Sequence, residues 1–276
     1  MQRLPHPSPS PRGALTDLPG IPPRARWPER VGRHVLPRCA STNAEALRLV
    51  PMLAGPAWIL ALEQFAGRGR RGRIWHMPAG NFAASLALKP QGGPAGASLY
   101  SFVAALALHD ALALACGPSA RLAIKWPNDV LLNGGKVAGI LLESAGTGQE
   151  LAALAVGIGV NLAASPSADQ LEEGAVPAVS VLGETGHAVA PGDFLDILAP
   201  AFAHWQAQLE SRGFAPIRAA WLARAAGMGQ PVTARTGSVS RRGIFEGIDQ
   251  QGALMLRMAA GCEIIPAADI HFDGAC

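Results

Sequence analysis

The chain has 276 residues, 49% of them apolar and 16% charged, and a formal net charge of +3. That length and apolar content suit one sizeable core with a small satellite domain. So low a net charge excludes a whole-molecule field for nucleic acid or an anionic membrane, and any basic function has to be local.

Residues 1–30 hold eight of the 23 prolines and five arginines, which predicts a disordered Pro/Arg-rich tail. Residues 1–9 carry no apolar signal-peptide run, so a cytoplasmic protein is expected. From Val31 the pattern is globular, with Ser41-Thr-Asn43 placed to cap a helix over 44–50. Strands are predicted at 58–64, 82–88, 122–126, 137–143 and 154–161, joined in part by turns such as Asn133-Gly-Gly135. Between them, 99–116 reads as a core helix, with Leu99, Phe102, Val103 and Leu106 at helical spacing. Its strongest apolar run, 99–108, stops at His109 and Asp110, short of the roughly 20 residues a bilayer crossing needs. No membrane span is expected. Helices follow at 191–212 and 216–226, then strand-like sequence over 230–272 with a hairpin signal at Gly247-Ile-Asp-Gln-Gln-Gly252. The result is an α+β fold: a tail over 1–30, a main domain over 31–228 with a mixed, largely antiparallel sheet flanked by helices, and a small β-barrel over 229–276. Cys39, Cys116, Cys262 and Cys276 show neither CxxC nor Cys/His spacing, so no metal site is expected from the protein itself.

Gly67-Arg-Gly-Arg-Arg-Gly-Arg73 fits the GxGxxG string of dinucleotide-binding turns, but Pro78 and Gly80 stand where the required helix should run. In a disordered tail the same string would read as a nucleic-acid segment. Between two strands of a folded core, mutually repelling arginines point instead to an anionic ligand, and the glycines to a lid that closes on it. Lys125-Trp-Pro-Asn-Asp129 ends a strand and presents Asn128 and Asp129 on a turn. Lys136 opens the next apolar strand. Either segment alone is most simply structural, a turn and a strand-end charge. Together with an arginine lid they supply what nucleotidyl transfer to a carboxylate requires, because both reacting groups are anionic.

In order, Ser41-Thr-Asn43, Glu63-Gln64, Gly67 to Arg73, Lys125 to Asp129, Lys136-Val-Ala-Gly-Ile-Leu-Leu-Glu143 and Gly157-Ile-Gly-Val-Asn161 resemble the motif series of biotin protein ligases across 31–276. The resemblance implies a class II synthetase-like catalytic domain with an SH3-like C-terminal β-barrel. It implies an ATP-dependent ligase that forms biotinyl-5′-AMP and passes biotin to a lysine of a biotin carboxyl carrier protein, of acetyl-CoA carboxylase or a related carboxylase. Mg2+ would bridge the ATP phosphates and not sit in a protein cage. Carried over residue by residue, Ser41, Thr42, Asn43 and Gln64 surround the biotin head group, and Arg68, Gly69 and Arg70 wrap the ligand. Lys136 is the catalytic lysine bridging carboxylate and α-phosphate, with Arg70 assisting. Trp75 stacks near adenine, Lys125, Asn128 and Asn161 face the nucleotide, and Asp129 accepts the proton of the incoming lysine. Two departures stand out. The tail over 1–30 is too short and proline-rich for the helix-turn-helix of repressor-type members, so no operator binding is expected, and Ile74 replaces a basic residue before Trp75. A lipoate ligase of the same fold is the nearest rival, and a nucleic-acid module a distant one. The particular carrier, the order of binding and a homodimer stay open.

Overall fold

The computed structural model describes residues 26–90, 93–147, 150–171 and 175–272. In chain order its elements are β1 (Gly32–Leu36), α1 (Thr42–Leu49), β2 (Ala57–Ala61), β3 (Phe82–Leu88), α2 (Gly93–Ser98), α3 (Tyr100–Cys116), β4 (Leu122–Lys125), β5 (Asp129–Leu132), β6 (Gly135–Thr147) and β7 (Glu150–Val160). They continue with α4 (Val181–Thr185), α5 (Pro191–Arg212), α6 (Phe214–Leu222), β8 (Pro231–Thr236), β9 (Val239–Ile248), β10 (Leu254–Met258), β11 (Gly261–Ile265) and β12 (Asp269–Phe272).

The first seven strands form one sheet in the order β1-β2-β3-β7-β6-β5-β4. Only β1 and β2 run parallel; the remaining neighbours are antiparallel, as the sequence predicts. Side chains alternate across a strand, so each strand feeds two layers. Trp58 and Leu60 of β2, with Phe82, Ala84 and Leu86 of β3, enter the large core beneath α3 and α5. Ile59 and Ala87 meet Ala46 and Val50 of the α1 segment on the opposite face. Trp58 packs edge-on against Phe202 at 5.6 Å, and Phe82 against Phe194 at 5.1 Å. All four rings are essentially inaccessible, and each such burial contributes about 2–3 kcal/mol. That packing keeps α5 helical through Pro200, which removes one backbone donor from its interior.

Ser41 caps α1 as expected, its side chain accepting from Ala44 N. Other bounds move for physical reasons. β1 was not foreseen, because its five residues are largely exposed at the sheet edge and show no apolar alternation. β5 was hidden behind Pro127; it turns into β6 through Asn133 and Gly134, both at positive φ. The strands expected at 137–143 and 154–161 are the inner parts of the long β6–β7 hairpin. The helix expected at 216–226 begins at Phe214, since a proline in the first turn gives up a donor that has no helical partner anyway. Of the expected tail, 1–25 lies outside the described residues, but 26–30 is placed against the main domain: Trp27 Nε1 donates to Val31 O at 2.7 Å and its ring packs on the core. The helical run Gly93–Cys116 is apolar and long enough to cross a membrane by length and composition, and 67% of its most apolar 18-residue stretch is buried inside the protein, where it serves as the core helix.

The C-terminal strands form a five-stranded antiparallel sheet, β11-β10-β9-β8-β12. Its β9–β10 turn is built on Asp249, whose Oδ1 accepts from Gln251 N and Ala253 N at 2.8 and 2.9 Å. The sheet docks on the main domain through Trp126 Nε1, which donates to Gly252 O at 3.1 Å, and through Arg218 Nε, which donates to Ile248 O at 2.6 Å.

Candidate active site

The α1 face of the main sheet and the end of β12 enclose a cavity of about 1160 Å3, and every site residue singled out from the sequence lines it. The cavity has a polar neutral end and a cationic end, separated by an indole ring.

At the neutral end, Ser41, Thr42 and Asn43 are all buried where the chain enters α1. Asn43 Nδ2 donates to Leu141 O at 3.1 Å and to Glu143 Oε2 at 2.8 Å, which fixes the orientation of its amide because both partners only accept. Its Oδ1 then faces Ser85 Oγ, which donates at 2.6 Å and also lies 2.8 Å from Thr42 Oγ1. Gln64 Oε1 accepts from the Thr42 amide at 2.9 Å and from its hydroxyl at 3.2 Å. The floor here is Gly157, where a Cβ would fall 2.3 Å from Asn43 Oδ1. Ser85 was missed in the sequence although it is the lone hydroxyl in the apolar run of β3. Glu143, read only as the end of a strand, holds both Asn43 and Arg68.

Trp75 lies flat on the next glycines of the same floor: a Cβ on Gly159 would sit 2.3 Å from its Cε2, and one on Gly139 3.2 Å from its Cζ3. The ring therefore needs glycine beneath it. Its Nε1 is buried without a hydrogen-bond partner, a donor that a ligand acceptor could satisfy.

At the cationic end, Lys136 Nζ stands 2.8 Å from Asp129 Oδ1, an ion pair whose angles fall outside hydrogen-bond geometry. Lys136 is thus no lone strand-end charge. Its backbone is clamped by Pro177 O and Val179 N at 2.8 and 3.0 Å. Lys125 is only 7% exposed; burial pushes its ammonium below the usual lysine range, Asp129 opposes that shift and Lys136 adds to it. Asn128 and Asn161 line the same end, with amides committed to Ile140 O at 2.7 Å and Val179 O at 3.1 Å. They brace the cavity wall as well as facing it. The Trp126–Pro127 peptide between β4 and β5 is cis. Among the described residues no group of three or more His, Cys, Asp or Glu could hold a metal ion.

The lid closes on itself, Gly69 N donating to Arg73 O at 2.7 Å and Trp75 N to Gly67 O at 2.9 Å. The arginines expected to meet an anionic ligand are also met by protein carboxylates. Arg68 pairs with Glu143 at 3.2 Å, while Arg70, Arg71 and Arg73 converge on Asp269 of β12 at 3.2, 2.8 and 2.9 Å. Burial pushes the Asp269 carboxyl up, but the three guanidiniums outweigh it and hold the group below the usual carboxylate range. Burial likewise lowers Arg70, with Asp269 pulling the other way.

The Biotin/lipoate A/B protein ligase family model matches residues 35–161, and the biotin protein ligase C terminal domain model matches 227–273. The biotin--[acetyl-CoA-carboxylase] ligase of Paracoccus denitrificans is 69% identical over 87% of this chain and 100% of its own length. The bifunctional ligase/repressor BirA of Bacillus subtilis is 32% identical over 77% of this chain and 65% of its own length. Among solved structures, the biotin protein ligase of Aquifex aeolicus in complex with biotin and ATP superposes with a TM-score of 0.73 at 21% identity, covering 88% of this chain and 99% of that one. With both family models falling in order on its two sheets and a full-length relative at that identity, the chain belongs to the biotin protein ligases.

Proposed function

We propose that this ligase activates biotin with ATP and transfers it to a specific lysine of a biotin carboxyl carrier protein, that of acetyl-CoA carboxylase or a related enzyme, in the cytoplasm. The observation that carries the reading is the division of one cavity into an amide and hydroxyl end and a lysine and arginine end, with Trp75 between them. Ser41, Thr42, Asn43 and Gln64 match the paired donors and acceptors of a ureido ring. Lys136 and Arg70 lie where a carboxylate and an α-phosphate, both anionic, have to meet. A carboxylate oxygen of biotin attacks the α-phosphorus, the bond to the β-phosphate breaks, and pyrophosphate leaves. Lys136 neutralises the charge that builds between the two anions. The Trp75 ring faces adenine, Lys125 the phosphates, and Asn128 and Asn161 brace the nucleotide. In the second step the lysine amine of the carrier attacks the acyl carbon, AMP departs, and Asp129 takes the amine proton. The cationic end offers ammonium and guanidinium groups with Asp129 and Asp269 paired to them, and among the described residues no cluster of three or more metal ligands, which suits Mg2+ carried in on the triphosphate, where it would supply charge neutralisation.

Incubating the chain with a carrier domain, Mg2+-ATP and either biotin or lipoate, followed by intact-mass measurement, tests the reading. Addition of one biotinyl group that requires ATP is expected. Lipoyl transfer without biotinyl transfer would reject it.

A further inference from the structure

The lid is anchored from two sides, and one anchor belongs to the small C-terminal sheet. Asp269 opens β12 and lines the active cavity, 196 to 199 residues along the chain from the arginines that it holds. Its two oxygens divide the work: Oδ2 takes Arg71 and Arg73 at 2.8 and 2.9 Å, whereas Oδ1 holds Arg70 at the longer 3.2 Å. The neighbouring backbone adds to this grip, since Ala268 O accepts from Arg70 at 3.3 Å and Arg235 O from Arg71 at 3.2 Å. The arginine cluster on Asp269 lines the same cavity as Lys125 and Lys136, which is where a phosphoryl group has to sit.

From this geometry we propose that Asp269 is a positioning residue: it gathers the lid arginines so that the lid stays shut over the acyl-adenylate, and retention of that intermediate depends on the C-terminal sheet. The proposal rests on the two-step reaction above. When the phosphoryl group arrives, Arg70 turns from Oδ1 to the ligand, while Arg71 and Arg73 stay on Oδ2 and keep the loop in place. The guanidiniums are 24 to 43% exposed and the Asp269 side chain 15%, and Asp269→Asn keeps the shape and one acceptor oxygen, so its cost to global stability is small. A retention role and a merely structural one therefore separate in experiment.

The test uses the full chain and the variants Asp269→Asn, Asp269→Glu and Glu263→Gln, the last breaking the Arg241–Glu263 pair within the C-terminal sheet. Adenylate is formed in place from labelled biotin and Mg2+-ATP, and its release is followed by chase with unlabelled biotin. Labelling of an unrelated lysine-rich protein is read in parallel. Asp269→Asn is expected to release the adenylate about tenfold faster or more and to label the bystander protein, with a melting temperature within about 4 °C of the parent. Asp269→Glu restores retention, Glu263→Gln leaves it unchanged, and molar salt speeds release from the parent but not from Asp269→Asn. Parent-like release from Asp269→Asn overturns the proposal, as does faster release that tracks lowered melting temperature across all three variants. If the parent makes no adenylate from biotin and ATP, the reaction assigned above falls, and this proposal with it.

Discussion

Replacing Gly159 by alanine would drive a methyl group into the Trp75 ring. The added Cβ would lie 2.3, 2.5 and 2.6 Å from Cε2, Nε1 and Cζ2, against the 3.4 Å at which ordinary contact begins. The ring must therefore retreat by about 1 Å or leave its seat, and overpacking of this kind costs about 1–3 kcal/mol. The backbone at Gly159 is not at positive φ, so the substitution adds no backbone strain and isolates the steric effect. Spread over nucleotide binding, that cost corresponds to roughly a 5- to 150-fold weaker KM for ATP. Gly157→Ala is its counterpart, because the same methyl there strikes the Asn43 amide at 2.3 to 2.9 Å instead and should raise the KM for biotin. Biotin-dependent pyrophosphate exchange, run with each substrate varied in turn, measures both constants, and acrylamide quenching of tryptophan fluorescence reports whether Trp75 has left the floor. The reasoning fails if the two variants raise both constants equally, or if Gly159→Ala leaves the KM for ATP unchanged.

Lys136→Ala should lower adenylate formation about a hundred- to thousand-fold. Because it strips Asp129, whose side chain is 14% exposed, of its cation, it should also cost about 1–2 kcal/mol in urea unfolding, between the exposed and buried limits for ion pairs; parent-like pyrophosphate release would reject the catalytic role. Ser85→Ala removes the 2.6 Å donor to the buried Asn43 amide oxygen and should cost about 1–3 kcal/mol, read as a higher KM for biotin with the KM for ATP unchanged; equal changes in both would refute it. Lys125→Met tests the buried ammonium through pH. Its folded pKa lies below 10.5, so between the two values the unfolded chain holds more protons and the parent gains stability as pH rises. The stability of Lys125→Met relative to the parent should therefore fall as pH climbs toward 10.5, and urea melts in which that relative stability stays constant or rises would contradict the assignment.

Local chemistry was legible in the sequence, and distant pairing was not. The Ser41 cap, the core helix, the turn at Asn133-Gly134 and the strands beneath the site follow from residue spacing alone, since each depends on neighbours within a few positions. The arginine lid, Asn128, Asp129 and Lys136 were legible because polar, glycine and cationic stretches interrupt an apolar chain, whereas Ser41, Thr42, Asn43, Gln64, Trp75 and Asn161 were marked as ligand contacts only by the resemblance to biotin protein ligases. Ser85 escaped notice because its partners Thr42 and Asn43 lie 43 and 42 residues away, and the exposed strand β1 carries no alternation to betray it.

The lid shows most clearly where local reasoning stops. Clustered arginines do require anions, and the sequence offered no reason to choose a protein carboxylate over a ligand. In the fold both kinds of partner share one space. Glu143 holds Arg68 and, through its other oxygen, the Asn43 amide that floors the neutral end, while Asp269 holds the remaining three arginines from the second sheet. Each end of the cavity thus reaches the lid through a protein carboxylate. An incoming acid or phosphate does not fill an empty cationic trap; it competes with a carboxylate already in place, so the net gain from closing the lid is the difference between two charge-assisted contacts. A difference of that size suits a lid that has to hold an adenylate through one reaction and open for the lysine of the next.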